Sequence, residues 1–351
     1  MAGDTHTAAH EALPGLGIAV PLLAAPMAGG PTTPDLVVAA ARAGGLGFLA
    51  GGYKSAPQLA AQILAVRAAD APFGVNLFAP NPVPVDAGEF RRYAGRLRSD
   101  AEAYGLDLGS AEPVDDDDDW QTKIDLLLSD PVPVVSFTFG LPDRLVIAAL
   151  RRAGSVVMQT VTSAAEARAA AEAGIDVLVV QAAAAGGHSA TLTPSQPPQQ
   201  VPLPALVEQV RGAVALPLIA AGGLATADDI AAAIHAGAQA AMVGTVLLRT
   251  RQSGASAVHK SALADASARP TVVTRAFTGR PARGLRNRFT EAHSSEAPLG
   301  YPAVHHLTGP LRRAAAAAGD PERVNLWAGT GYRHGREEDA QQTITRLAAR
   351  L

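Results

Sequence analysis

Short apolar runs recur along the chain, each followed by a glycine or polar turn and then an alanine-rich stretch with helical spacing. The runs predict eight strands: Leu22–Met27, Leu46–Ala50, Phe73–Phe78, Val132–Phe139, Val156–Val161, Val177–Gln181, Leu216–Ala221 and Ala238–Val243. Helical stretches lie between most of them, at Pro34–Ala43, Ala56–Ala68, Pro142–Ala153, Ser163–Ala173, Pro204–Ala213 and Ala227–Ala236. Four of these end in Ala-Gly (Ala43-Gly44, Ala153-Gly154, Ala173-Gly174, Ala236-Gly237), a sequence that stops a helix. Strands alternating with helices imply a parallel sheet. Eight of them imply an α/β fold closed into a (β/α)8 TIM barrel.

Two regions break the rhythm. Residues 81–130 are too long for a βα connection, and they carry a run from Asp115 to Asp119 that reads as a solvated, mobile surface. After Val243 the alternation ends. Residues 251–315 are polar and irregular, the expected form of a smaller substrate-side cap over the barrel mouth. The barrel is then 13–250 with 316–351, and residues 1–12, with His6 and His10, read as a disordered tail.

Composition narrows the classes. Hydrophobic residues make up 48% of the chain but aromatics only 4%, which suits buried strands of Ala, Val, Leu and Ile under alanine-rich helices. A net charge of -3 offers no basic footprint for nucleic acid. The absence of cysteine excludes disulfides, thiolate catalysis and cysteine-ligated metals. The uncharged stretch from Leu13 to Thr33 is broken by Pro14, Pro21, Pro26 and Pro31, so neither a spanning helix nor a signal peptide is expected. The expectation is a cytoplasmic protein with no membrane partner and no metal.

In such barrels the active site lies at the C-terminal ends of the strands. Those ends here carry Pro26-Met27-Ala28-Gly29, Gly51-Gly52, Asn76, Phe139-Gly140, Gln159, Gln181, Gly222-Gly223 and Gly244-Thr245. The turns after the seventh and eighth strands are where barrels hold a phosphate, and amides at Gly223, Gly244 and Thr245 suit a dianion. Thr226 and Asp229 form a capping-box pattern just beyond the first turn. After the sixth strand, Gly186-Gly187-His188 projects a histidine toward the barrel mouth, where an imidazole suits a base near neutral pH. Asn76 and Gln181 offer amides inside apolar runs. These either face a ligand with alternating donors and acceptors or are satisfied internally, and both readings stay open. Arg275, Arg280, Arg283, Arg286 and Arg288 form a basic patch that suits an anionic ligand as well as it suits surface pairing.

The chain resembles the nitronate monooxygenases, formerly called 2-nitropropane dioxygenases. The resemblance rests on Ala25-Pro26-Met27-Ala28-Gly29-Gly30, Gly74-Val75-Asn76-Leu77-Phe78, Gln181 through Gly186-Gly187-His188, Ala220-Ala221-Gly222-Gly223 and Gly244-Thr245, then Gly279-Arg280-Pro281-Ala282-Arg283-Gly284 and Asn325-Leu326-Trp327-Ala328-Gly329. It implies FMN as cofactor, bound around Met27, Asn76, Gln181, Gly186, Gly223 and the stretch Met242, Val243, Gly244 and Thr245, with His188 as the base. Ala25, Pro26, Gln159, Gly187 and Gly222 complete the expected cofactor wall. The implied reaction is oxidation of a small-molecule nitronate, such as propionate 3-nitronate, by O2 to a carbonyl compound and nitrite. A homodimer stays open. Where the family often has Gly and Glu in Gln-Gly-x-Glu-Ala-Gly-Gly-His, this chain has Ala182 and Ala184. The lost carboxylate makes turnover of preformed nitronates the firmer expectation than deprotonation of neutral nitroalkanes. Alternatives are an FMN-dependent enoyl-acyl-carrier-protein reductase using NAD(P)H and a non-catalytic FMN-binding protein.

Overall fold

The computed structural model describes residues 18–351 apart from 266 and 268, so the expected tail with His6 and His10 lies outside the described residues. Eight parallel strands close into a barrel: β1 (Leu22–Ala24), β2 (Leu46–Ala50), β3 (Phe73–Ala79), β4 (Val134–Phe139), β5 (Val156–Val161), β6 (Val177–Gln181), β8 (Leu218–Ala221) and β9 (Ala240–Val243). The two-residue β7 (Gly187–His188) lies outside the barrel. The register Leu23↔Leu46 on one side of β1 and Ala24↔Val243 on the other completes the ring.

Prolines trim the predicted strands. Pro26, Pro133 and Pro217 have no N–H for the ladder, so β1 stops before Pro26 while β4 and β8 begin just after theirs. Beside β8, the Gln239 side chain takes over one ladder position by accepting from Leu218 N at 2.6 Å, and β9 starts one residue later.

Period-two alternation sorts the strand residues into two layers. Leu23, Leu46, Phe48, Val134, Met158, Val179 and Ile219 fill the barrel interior. Leu22, Leu49, Val75, Leu77, Phe137, Val157 and Val180 pack outward against the helices. Most barrel helices begin at side-chain caps, including complete capping boxes at Ser55–Gln58 and at Thr226–Asp229, while Leu203–Arg211 starts at Pro202 without one. The C-terminal helix Ala340–Leu347 joins the outer layer against Pro34–Arg42.

Residues 253–310 are more regular than their composition predicts. They contain the helices Ala257–Ala264 and Arg288–His293, strands β10 (Thr271–Thr274) and β11 (Ala282–Leu285), and the start of the helix Ala303–Ala317. Each element is short, and buried polar groups replace the apolar period that marks a helix or strand. Asn287 Nδ2, for example, donates to the carbonyls of Pro321 and Val324 at 2.9 Å each. An apolar cluster beside the barrel mouth unites Phe277, Phe289, Val304 and Leu311 with Phe90, Tyr93 and Leu97. The packing there draws on two chain segments, whereas the sequence alone assigns only 251–315 to a cap.

The aspartate run is only partly a solvated surface. Asp118 forms an ion pair at 2.8 Å with Lys123, whose side chain is 1% exposed, and accepts from Tyr53 N at 2.8 Å. Asp119 accepts from Ala56 N at 2.9 Å. These bonds fix the loop after β2 from the far side. Asp115 and Asp117 remain exposed.

Candidate active site

A cavity of about 520 Å³ occupies the barrel mouth, a volume that suits a ligand with a ring system and a polar tail. Its walls include Ala25, Pro26 and Met27 after β1, Asn76 on β3, Gln181 on β6, the Gly186-Gly187-His188 turn, Gly222 and Gly223 after β8, and Met242, Val243, Gly244 and Thr245 at the end of β9. Of the residues expected to hold a cofactor, Gln159 alone stands outside. On β5 it shares the outward parity of Val157 and Val161, and its Nε2 donates to the carbonyls of Gly140 (3.2 Å) and Thr160 (3.1 Å). The inward neighbour Thr160 takes its place on the wall. A one-residue error in strand parity swaps the faces.

One end of the cavity is built from backbone. Gly222 and Gly223 have φ of +101° and +83°, which turns successive amides to one side, and a Cβ on Gly222 would lie 2.7 Å from Ala182 O. The segment from Ala328 to Gly331 crosses here. Gly329 N donates to Thr245 Oγ1 at 3.0 Å, and Thr330 N donates to Ala184 O at 3.0 Å. Gly186 lies against this segment so closely that a Cβ would sit 2.4 Å from Gly329 N. Ala184, at the position where the family often has Glu, abuts Gly223, whose added Cβ would be 3.0 Å from the Ala184 methyl.

The other end is built from side chains. The turn carrying His188 is the edge strand of a small antiparallel sheet, β10-β11-β7, with Ala282 opposite His188 and Arg283 opposite Gly187. That pairing orients the histidine, a constraint invisible in a two-residue run. Gln181 secures the same strand: its Oε1 accepts from Ala190 N at 2.9 Å and its Nε2 donates to His188 O at 3.3 Å. Its amide is therefore satisfied internally. Asn76 differs: its Nδ2 engages Ser136 Oγ (2.9 Å) and Thr138 Oγ1 (3.1 Å), so Oδ1 is the end left for a ligand.

His188 Nε2 sits 2.9 Å from Thr278 Oγ1. Its ring is ringed edgewise by Phe139 (5.4 Å) and Tyr301 (5.9 Å), with Trp327 tilted at 5.6 Å. Burial among these rings, with the positive charges of Arg280 and Arg312, pushes its pKa down to about 3. The imidazole is neutral at pH 7 and a weaker base than a free histidine. Thr278 Oγ1 lies 3.3 Å from Arg280 O. If the hydroxyl donates there, His188 donates from Nε2 and keeps a bare Nδ1.

Tyr53, His305 and Arg312 line the wall without a sequence signal, whereas Phe139 is marked by its place at a strand end. Tyr53 and Phe139 hold left-handed backbones, φ +63° and +81°, which is strain for residues with side chains. Tyr53 stacks on His305 at 4.3 Å and 5°. His305 and Arg312 come from the helix Ala303–Ala317, whose docking over the mouth is a tertiary event. The expected basic patch disperses instead. Arg280 is fully buried under the site, its guanidinium 4.1 Å from the Phe139 ring centroid and bonded to Thr191 O. Arg283 donates to Ala183 O at 2.6 Å, and Arg286 pairs with Glu291 at 3.4 Å on the surface. Among the described residues no group of His, Asp and Glu is arranged to hold a metal, and no helix is long and apolar enough to cross a membrane.

This geometry has counterparts. A family model described as nitronate monooxygenase matches residues 11–349. A probable nitronate monooxygenase of Staphylococcus aureus strain Newman is 36% identical over 327 residues, 91% of this chain and 90% of that protein. The solved nitroalkane oxidase of Streptomyces ansochromogenes is 46% identical, with a TM-score of 0.89 over 95% of this chain and 96% of the other. FabK of Thermotoga maritima shares the architecture at 28% identity and a TM-score of 0.73, over 95% and 92%. Matches of this extent, carried by one family across nearly the whole chain, mean that it belongs to the nitronate monooxygenase family and is a flavin-dependent oxidoreductase.

Proposed function

We propose that the protein binds FMN in this cavity and oxidises small alkyl nitronates, such as propionate 3-nitronate, with O2 to a carbonyl compound and nitrite. The observation that carries this reading is one cavity that joins a glycine-built anion cradle to a histidine wall, in a chain of this family.

The residues present fit FMN. The paired left-handed glycines Gly222 and Gly223, with the Gly244-Thr245 turn, suit the phosphate without a side-chain cation. Asn76 Oδ1 suits a ring N–H, and Met27 and Met242 supply apolar, polarizable wall. Gln181 contributes by holding the His188 strand rather than by contact through its amide. When bound, the flavin accepts reducing equivalents from the nitronate, and O2 completes the oxidation. The protein's own part is to bind and orient. Phe139, Tyr301 and Trp327 exclude water around His188, whose neutral ring spends its N–H on Thr278 and turns only a bare, accepting Nδ1 to a substrate. With its pKa pushed down to about 3, His188 suits a substrate that arrives already ionised better than one whose carbon proton it must remove.

Purified protein should be yellow, release FMN on denaturation, and consume O2 with propionate 3-nitronate and alkyl nitronates while forming nitrite. A colourless protein that FMN cannot reconstitute would overturn the proposal.

A further inference from the structure

We infer that Arg312 is the residue that selects anionic substrates, a planar guanidinium held in the cavity wall to receive the oxygens of a small oxyanion such as a nitronate. The inference rests on the proposed nitronate chemistry and adds the specificity-determining group.

Arg312 is anchored from three sides. Its Nε donates to Thr308 Oγ1 at 3.0 Å, one terminal nitrogen to His305 O at 2.9 Å with His305 Nδ1 at 3.2 Å, and the other reaches Asn325 Oδ1 at 3.4 Å. Thr308 in turn donates its hydroxyl to the Phe277 carbonyl, so the fork is fixed rather than floppy. Every one of these partners is neutral. Among the described residues no carboxylate forms an ion pair with Arg312, although Arg67, Arg151, Arg251, Arg269, Arg286, Arg323 and Arg346 all have one. A guanidinium placed in an aromatic wall without a counterion is an electrostatic expense that a bound anion offsets.

The surroundings agree. Arg312 lines the same cavity as His188, Tyr53, His305 and Trp327. The neighbouring Arg313 lines the cavity too but is exposed and has no comparable anchor, and Arg280 does not reach the wall. Among the described residues no acidic side chain lines the cavity, so none of them competes with an incoming anion. Burial and Arg313 lower the Arg312 pKa to about 10, which leaves it charged at pH 7. The same charge helps hold His188 neutral. One cation thus favours ionised substrates twice: it attracts them, and it weakens the base that a neutral nitroalkane would need.

The test uses the flavin-loaded enzyme with Arg312→Gln and Arg312→Lys. Two readouts are taken: KM and kcat for an alkyl nitronate, and calorimetric binding of nitrate, a planar oxyanion that is not turned over. Arg312→Gln is expected to raise the nitronate KM and the nitrate Kd at least about tenfold, the loss of a charge-assisted hydrogen bond. Flavin content should be unchanged. Arg312→Lys should recover part of both, because it restores charge without the fork. If Gln disrupts folding, Lys alone remains decisive: wild-type nitrate affinity and KM in that variant would contradict a role for the two-pronged geometry. Unchanged nitrate binding in a folded Arg312→Gln would overturn the inference. If the wild type binds nitrate through Arg312 but oxidises no nitronate, the anion subsite stands and the proposed reaction fails.

Discussion

The two ends of the cavity are made of different material. Around Gly222, Gly223, Gly244 and Thr245 the wall is main chain at the ends of β8 and β9, positioned by barrel strands whose register is locked on both sides. Around His188 it is side chains, brought together by a two-residue edge strand, a neighbouring hairpin and one helix from outside the barrel. A backbone-built end is robust to most substitutions yet has no room for a Cβ where the chain doubles back. A side-chain end folds with many residues but depends on each one's chemistry. Substitutions at the first should disturb binding and stability, and substitutions at the second should disturb turnover.

The largest expected effect falls at the side-chain end. His188→Asn should retain flavin while activity on neutral nitroalkanes drops by about 10²- to 10³-fold, the lower part of the range for a lost acid–base group because the base is already weak. Activity on preformed nitronates should fall less. Steady-state kinetics with both substrate forms checks this, and equal losses would make His188 a substrate-binding group only. Next comes Gly186→Ala, where the new methyl would meet Gly329 N at 2.4 Å and Ala328 C at 2.6 Å. Because both are backbone atoms, the 328–331 segment must move. A loss of about 3 kcal/mol or more in denaturant unfolding, with flavin released, is expected.

A pH effect of intermediate size comes from His259, whose pKa burial pushes down to about 4 although its Nε2 contacts Trp327 O at 3.0 Å. Its folded pKa lies below the ordinary 6.5, so the unfolded chain binds the extra proton first. Stability is therefore full above pH 6.5 and declines as pH falls toward 4. By pH 5 this group alone accounts for roughly 2 kcal/mol, and His188 and His305 act in the same direction. Thermal midpoints at pH 7 and 5 should differ less in His259→Gln than in the wild type. The smallest change is Gly222→Ala, a strained left-handed alanine with a close contact to Ala182 O. About tenfold weaker flavin binding, read by fluorescence titration, is expected with turnover of the loaded enzyme preserved.

The same contrast explains what could be read without a structure. The barrel was legible because apolar period and helix stops repeat at every unit, and the glycine turns follow from strand order. Gln159 shows the limit: position near a strand end is visible, but which face it takes depends on parity, and here it faces the helices. The place of His188 at the barrel mouth was legible from its glycines, but the sheet that orients it was not, since β7 has only two residues and its partner lies about a hundred positions on. Tyr53, His305 and Arg312 were missed for a related reason. Their local sequence is that of ordinary loop and helix residues, and only docking across long separations turns them to the cavity. Asp118 was hidden inside a run whose neighbours are solvated.

The central claim is that this cavity oxidises nitronates, and the most direct test is an anaerobic one. The FMN-loaded protein is mixed, without O2, with an alkyl nitronate and separately with NADH and NADPH, while the flavin absorbance is followed. The visible band should bleach with the nitronate and stay unchanged with either nicotinamide. Bleaching by NADH or NADPH with indifference to the nitronate would contradict it and make the protein an NAD(P)H-dependent reductase on the same barrel.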